Sequence, residues 1–184
     1  MALGTFSLIC HPQTPAMGVK SVSVAWEARG DALMLRYRVD GAGGLVLPAP
    51  AAPERHDDLW KTTCFEMFLG QAGTTYREFN FSPSSCWATY AFADYREGGR
   101  DAEMAIAPAI VIRREGDAAI CEVRLSRAIL DGAVCAGLTA VIEEMGVDGK
   151  GGHKSYWALA HGEGRPDFHK RSCFTLQLAA AEAP

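Results

Sequence analysis

The sequence predicts an all-β fold, an antiparallel β-sandwich of the jelly-roll type with little helix. Apolar and polar residues alternate along most of the chain, which is the pattern of strands with one buried face. Clusters of Gly, Pro, Asp and Asn separate the alternating runs, and no long helical pattern lies between them. Short strands joined directly by turns favour antiparallel sheets that pack face to face.

The first strands are predicted at residues 6–10, 22–26 and 33–39, where every second residue is apolar or aromatic. Trp26 shares the apolar parity of its run, so we expect it in the core. A proline-rich surface loop, LPAPAAPERHDD (47–58), follows these strands.

A β-hairpin is predicted next, because the runs TCFEMFLG (63–70) and TYREFNFS (75–82) are joined by a short glycine-containing turn. One helical turn is expected in SRAILDG (126–132), where Ser126 can act as the N-cap. The later strands are predicted at residues 109–114, 118–125, 137–144, 155–161 and 173–178.

One domain is expected to span residues 1–184, with a frayed tail at 179–184. The amino terminus lacks the basic and apolar segments of a signal peptide, and no stretch approaches the roughly 18 uninterrupted apolar residues of a membrane span. We therefore expect a cytoplasmic protein that does not bind membranes. The formal net charge of -4 and the absence of Lys/Arg clusters argue against nucleic acid as a partner.

The six cysteines are scattered along the chain without a Cys-x-x-Cys pair. We expect them to be buried free thiols rather than disulfides or zinc ligands. His161 and His169 lack the tight spacing of metal ligands and are predicted to be satisfied surface histidines. No metal site is predicted.

The hairpin has one apolar face and one polar face. Its polar face carries Glu66, Glu78 and Asn80, and Trp60 and Tyr76 lie near this face in the predicted pairing. Two carboxylates on neighbouring strands repel each other unless they are solvated or partnered. We therefore expect this face to point outward and to offer hydrogen-bond acceptors to a ligand rich in hydroxyl groups.

Further candidates lie in SPSSCWATYAFADYREG (82–98) and SYWALAHGEGRPDFH (155–169). Aromatic rings stack on the apolar face of a sugar, whereas carboxylate, amide and guanidinium groups bind its hydroxyls. The predicted ligand-binding residues are Trp60, Glu66, Glu78, Asn80, Trp87, Tyr90, Arg96, Tyr156, Trp157 and His161. None of them is assigned a catalytic role.

Three segments together resemble the DOMON-like bacterial proteins, which are related to the family-nine carbohydrate-binding modules. These segments are LWKTTCFEMFLG, YREFNFSPSSCWATYAFADYREG and SYWALAHGEGRPDFH. The resemblance implies a β-sandwich domain that binds a sugar or haem. In sugar-binding relatives aromatic side chains sandwich a saccharide, a role for which Trp60, Trp87 and Trp157 are the candidates. Haem-binding relatives use a methionine and a histidine, and no position here clearly matches either ligand.

The sequence therefore predicts a non-enzymatic domain that binds a small molecule, a saccharide, without a cofactor. Three alternatives stay open. The first is a haem-binding or redox domain, and the second is a glycosidase-like hydrolase in which Glu66 and Glu78 form the carboxyl pair. The third is a protein-interaction module without a small ligand, which would expose an apolar patch instead of a pocket.

Overall fold

The computed structural model describes residues 2–146, 149 and 152–178. The tail predicted to fray, 179–184, lies outside the described residues. Twelve strands and four short 3-10 helices form the described part. The strands are β1 (Ala2–Cys10), β2 (Ser21–Arg29), β3 (Ala32–Asp40), β4 (Cys64–Gln71), β5 (Tyr76–Phe81), β6 (Trp87–Phe92), β7 (Arg100–Asp101), β8 (Ala109–Glu115), β9 (Ala118–Ser126), β10 (Ala133–Glu144), β11 (His153–Ala158) and β12 (Leu176–Gln177). The 3-10 helices are Ala42–Gly44, Leu59–Lys61, Arg127–Leu130 and Arg171–Cys173.

The strands form one continuous antiparallel sheet in the order β7-β6-β5-β4-β10-β11-β1-β2-β3-β9-β8, with β12 paired to β10. Strand β1 joins the two halves of this sheet. Its residues from Ala2 to Leu8 pair with β2, whereas Ile9 and Cys10 pair with β11. The prediction of an all-β, antiparallel fold is confirmed.

The sheet curls so that its two halves face each other across one core. Tyr37 of β3 and Phe65 of β4 belong to strands far apart in the sheet order, yet their ring centroids are 4.8 Å apart. The Tyr37 hydroxyl also donates a hydrogen bond to the Glu66 carbonyl oxygen at 2.7 Å. Trp26 lies in the core, as predicted. The structure shows one curled sheet, and its finer description as a sandwich or jelly roll stays a prediction.

The hairpin and the helical turn agree with the sequence prediction. In the β4–β5 pair, Glu66 lies opposite Asn80 and Phe68 lies opposite Glu78. The Ser126 hydroxyl accepts a hydrogen bond from the Ala128 amide at 3.4 Å and so caps the 3-10 helix.

The strand ends differ from the prediction in the last part of the chain. The strand predicted at 155–161 ends at Ala158, because the ladder with β10 does not continue past it. Only Leu176 and Gln177 remain of the strand predicted at 173–178, since Cys173 belongs to a 3-10 helix. Trp60 likewise lies in a 3-10 helix instead of a strand entry.

The polar face of the hairpin is buried, and the prediction that it points outward to solvent is wrong. We call this surface the outer face; it is the side of β4, β5, β6, β10 and β11 that points away from the core. Residues 165–174, here called the cover segment, lie across it. Glu66, Glu78 and Asn80 are only 2%, 7% and 1% exposed as whole residues.

Two glycines of the outer face allow the cover segment to approach the sheet. A Cβ atom on Gly137 would lie 2.9 Å from Cδ1 of Phe174, and one on Gly70 would overlap the Arg171 guanidinium. A glycine inside a strand commonly marks such a close approach. The absence of a side chain at these two positions therefore lets the cover segment lie flat on the sheet.

All six cysteines are free thiols, and five of them are buried. This agrees with the sequence prediction, with Cys10 as the one partly buried member. The described part of the chain has no helix of the length and apolarity that a membrane crossing requires.

A buried carboxylate fixes the loop that follows β1. Glu144, at the end of β10, accepts hydrogen bonds from the backbone amides of Met17, Gly18 and Val19 at 2.9, 2.7 and 2.9 Å. Its side chain is 2% exposed. The carboxylate therefore takes the place of a missing strand partner for three consecutive amides.

We expect Glu144→Ala to lower the free energy of unfolding by about 3 kcal/mol or more, because three amides lose their acceptor. Urea denaturation monitored by tryptophan fluorescence measures the change. Glu103→Ala, at an exposed loop position, is the control and should stay within about 0.5 kcal/mol of the parent protein. Equal effects of the two substitutions would contradict a structural role for the Glu144 carboxylate.

Candidate ligand-binding site

A cavity of about 550 Å³ lies between the outer face of the sheet and the cover segment. Six aromatic side chains line it, together with two glutamates, two arginines, an aspartate and a histidine. Its size lies within the range typical of small-molecule sites. The aromatic lining residues are Trp60, Phe68, Tyr90, Phe92, Tyr156 and Phe168.

The strand pleat explains why these side chains meet. Tyr90 lies opposite Glu78 in the β5–β6 pair, and Tyr156 lies opposite Val141 in the β10–β11 pair. Directly opposite residues in an antiparallel pair share a face, so all four side chains line the cavity. The cover segment adds Phe168, whose ring centroid is 5.9 Å from that of Tyr156.

Six of the ten predicted ligand residues line the cavity. They are Trp60, Glu66, Glu78, Tyr90, Arg96 and Tyr156. Asn80 lies beside the cavity without lining it, and its side-chain amide donates a hydrogen bond to Oε1 of Glu78 at 2.8 Å. Asn80 thus orients a carboxyl group of the site.

The remaining predicted residues lie elsewhere. Trp87 is opposite Phe81, and Trp157 is opposite Ala140, so both rings point to the core. His161 donates a hydrogen bond from Nε2 to the carbonyl oxygen of Ile9 at 2.7 Å. None of these three side chains is among the residues that line the cavity.

Sequence reasoning missed the lining residues of the cover segment, because an irregular loop has no periodicity to interpret. Arg165, Asp167, Phe168 and His169 all come from this loop. His169 was expected at the surface, but its side chain is only 14% exposed. Phe68 could have been found, since it has the same strand parity as Glu66.

Two carboxyl groups form the floor of the cavity. Oε2 of Glu66 accepts a hydrogen bond from the Thr139 hydroxyl at 2.9 Å, and Oε1 of Glu78 accepts the one from Asn80. Burial, reinforced by the charge of Glu78, raises the pKa of Glu66 to about 8. Burial also raises the pKa of Glu78, but the Asn80 hydrogen bond and Arg96 oppose that shift. Near neutral pH the Glu66 carboxyl therefore keeps its proton.

A hydrogen-bond chain sets the tautomer of His169. The Arg96 amide donates to the Tyr76 hydroxyl at 3.1 Å, and that hydroxyl lies 2.9 Å from Nδ1 of His169. Because the Tyr76 hydroxyl already accepts a hydrogen bond from Arg96, we assign it as the donor to Nδ1 of His169. The imidazole hydrogen is then on Nε2. Nε2 then faces Oε2 of Glu78 at 3.7 Å.

His169 is a neutral group at neutral pH. Burial and the charge of Arg96 lower its pKa to about 4. The contact of His169 with Glu78 is therefore that of a neutral imidazole with a carboxylate, not an ion pair.

The rim of the cavity is held by Asp167. Its carboxylate lies 3.0 Å from the Arg96 guanidinium, and it accepts hydrogen bonds from the Tyr95 hydroxyl and the His169 amide. Arg96 has a left-handed backbone with φ 54°, which only a few per cent of non-glycine residues adopt. The Asp167 contacts hold this guanidinium beside the cavity.

The lining does not match the haem ligation that the resemblance implied. It contains one histidine and no methionine, and the free nitrogen of that histidine faces a carboxylate. Across the described residues, no three His, Cys, Asp or Glu side chains form a group that could hold a metal ion.

The chain is similar in fold to a solved structure, although it matches no family model and no curated protein. A solved structure described as a "putative carbohydrate-binding protein" from Bacteroides uniformis aligns with a TM-score of 0.62 at 15% sequence identity. The alignment covers 92% of this chain and 83% of that one. At this identity the likeness concerns the fold alone, which is that of a protein described as carbohydrate-binding. Membership of the DOMON-like proteins stays a prediction.

The raised pKa of Glu66 predicts a characteristic pH dependence of stability. An unfolded glutamate titrates at about 4.3, so between that pH and about 8 the folded chain holds a proton that the unfolded chain has lost. The free energy of unfolding therefore falls as the pH rises through this window, and the contribution levels off above it. Glu66→Gln removes the titrating group, so the variant should gain roughly 1 kcal/mol per pH unit relative to the parent protein.

Denaturant titrations at pH 5, 6, 7 and 8 measure this difference. Glu103→Gln is the control, and its difference from the parent protein should not change with pH. A constant offset between Glu66→Gln and the parent protein would contradict a protonated Glu66.

Proposed function

We propose that this protein is a non-enzymatic binding protein for a saccharide. The observation that carries the proposal is the combination of an aromatic wall with a carboxyl floor in one cavity. Sugars present apolar C–H faces and hydroxyl edges, which match rings and hydrogen-bonding groups respectively.

The aromatic wall is placed to bind the apolar face of a sugar, and the carboxyl floor is placed to bind its hydroxyls. Phe68, Tyr156 and Phe168 give the cavity apolar surface, while Glu78 accepts hydrogen bonds and His169 donates from Nε2. Arg96 adds a guanidinium at the rim. A sugar can therefore stack its apolar face on the aromatic rings while its hydroxyls donate hydrogen bonds to Glu78 and accept one from His169.

Trp60 is the most exposed aromatic residue among those that line the cavity. It lies on the short helix Leu59–Lys61 and is 47% exposed, although it lines the cavity. Its ring can therefore stack on a ligand at little cost to the core. The likeness of the fold to the Bacteroides protein described as carbohydrate-binding supports the same function.

We expect simple mono- or disaccharides at ten times the dissociation constant to raise Tm by roughly 3–6 °C, since this concentration adds about 1.4 kcal/mol. Trp60→Ala should weaken binding about tenfold or more while changing the Tm of the free protein little. Ile106→Ala is the matched control, because Ile106 is 63% exposed and does not line the cavity. Unchanged affinity in Trp60→Ala would contradict stacking on this ring.

A second candidate is a glycosidase-like hydrolase, and the protonation of the carboxyl pair favours it. A protonated Glu66 beside a second buried glutamate resembles the arrangement of a general acid with a second carboxyl group. Both groups rise from neighbouring strands at the floor of the cavity, whereas glycosidase carboxyls flank the bond that is cleaved. We therefore rank binding without hydrolysis first.

Incubation with aryl glycosides that release a chromophore distinguishes the two functions. As a binding protein, the chain should release no chromophore above the rate of buffer alone. Hydrolysis that is lost in both Glu66→Gln and Glu78→Gln would replace the binding proposal with the hydrolase.

A further inference from the structure

The carboxyl pair has acceptor capacity that the protein does not use. Among the described residues, hydrogen bonds engage only Oε2 of Glu66 and Oε1 of Glu78. Neither carboxyl forms an ion pair with a lysine or arginine in the described part of the chain; the contact with His169, at 3.7 Å, is the one recorded for Glu78. The nearby guanidinium of Arg96 is bound to Asp167 at 3.0 Å. Within the described residues, Arg96 therefore acts on Glu78 only from a distance, and no lysine or arginine is paired directly with either carboxyl.

A positively charged ligand group would complete this floor. Two buried carboxyls cannot both ionise cheaply without a counter-charge, which is why one of them keeps its proton. A primary ammonium group supplies a positive charge and three N–H donors in a small volume. It could donate to the unused oxygen of each carboxyl at the same time.

Binding of the ammonium group releases one proton from the carboxyl pair. The proton on Glu66 leaves for the buffer, and an ammonium N–H takes its place as the partner of the carboxylate. The Glu66 carboxyl gains one negative charge in this exchange, and the ligand brings one positive charge. A neutral sugar makes no such exchange, because its hydroxyls can donate to Glu78 while Glu66 stays protonated.

The aromatic residues of the cavity also favour a positively charged ligand group. Phe68, Tyr90 and Tyr156 line the same cavity as the carboxyl pair, and an aromatic ring attracts a cation through its quadrupole. The remaining hydroxyl-bearing part of the ligand would still stack in the cavity as proposed above. An aliphatic amine without a sugar ring would lose those contacts.

From this geometry we infer that the ligand is an amino sugar with a free amino group, bound with its ammonium over Glu66 and Glu78. This inference rests on the proposed saccharide function and names the ligand class within it. It assigns the two carboxyls as the residues that determine specificity between amino sugars and neutral sugars.

Titration calorimetry at pH 6.5 tests the inference with three matched pairs: glucosamine and glucose, galactosamine and galactose, mannosamine and mannose. An amine of this type titrates near 8, by analogy with the α-amino group at about 7.7–8.0, and is therefore charged at this pH. In at least one pair the amino sugar should bind about tenfold or more tightly than its neutral partner. Its binding enthalpy should also differ between buffers of different ionisation enthalpy, because a proton is released.

The variant Glu66→Gln separates the charge effect from general sugar binding. It should lower the affinity for the amino sugar about tenfold more than the affinity for the neutral partner, and it should abolish proton release. Trp60→Ala should weaken both members of a pair by a similar factor. Glu103→Gln is the control and should leave every affinity unchanged.

Each outcome decides between the two proposals. Equal affinity for both members of every pair, or a preference that persists in Glu66→Gln, overturns the amino-sugar inference and leaves saccharide binding standing. No binding of any of the six sugars, together with a flat screen of disaccharides, overturns the proposed function and this inference with it.

Discussion

The burial of the outer face is the constraint on which the candidate site depends. A sheet face that carries two glutamates would ordinarily be solvated, and its carboxyls would titrate as they do in water. Here Phe174 stacks on Phe68 with ring centroids 5.4 Å apart, and the Arg171 guanidinium donates to the carbonyl of Thr75 at 3.1 Å. The cover segment thereby buries the floor and provides one wall of the cavity. The aromatic enclosure of the site and the raised pKa of both carboxyls follow from this burial.

The floor of the cavity is also tied to the core. Glu66 contributes its side chain to the cavity, while its carbonyl oxygen accepts the hydrogen bond from the Tyr37 hydroxyl. Tyr37 comes from the opposite half of the curled sheet and has no exposed surface. The strand that positions the carboxyl is therefore held from both halves of the fold. Such support fixes the floor more firmly than a loop could.

The sequence predicted the parts of the site that depend on strand alternation. Parity placed Glu66 and Glu78 on one face of a hairpin, and the observed register agrees. Parity within a single run could not decide Trp87 and Trp157, because their direction depends on which residues lie opposite in neighbouring strands. The cover segment was not predictable, since its contacts join residues about a hundred positions apart and follow no period. The burial of the carboxyls was missed for the same reason.

Strand β4 is buried on both of its faces, which limits the substitutions that it can accept. Residues from Cys64 to Gly70 are buried whichever way they point, toward the core or toward the outer face. By contrast, Val111 of the edge strand β8 is 57% exposed. Neutral substitutions can accumulate at such an edge, whereas a change in β4 alters either the packing or the cavity. A new ligand preference is therefore more accessible through Arg165 and Pro166 of the cover segment, which line the cavity but belong to no strand.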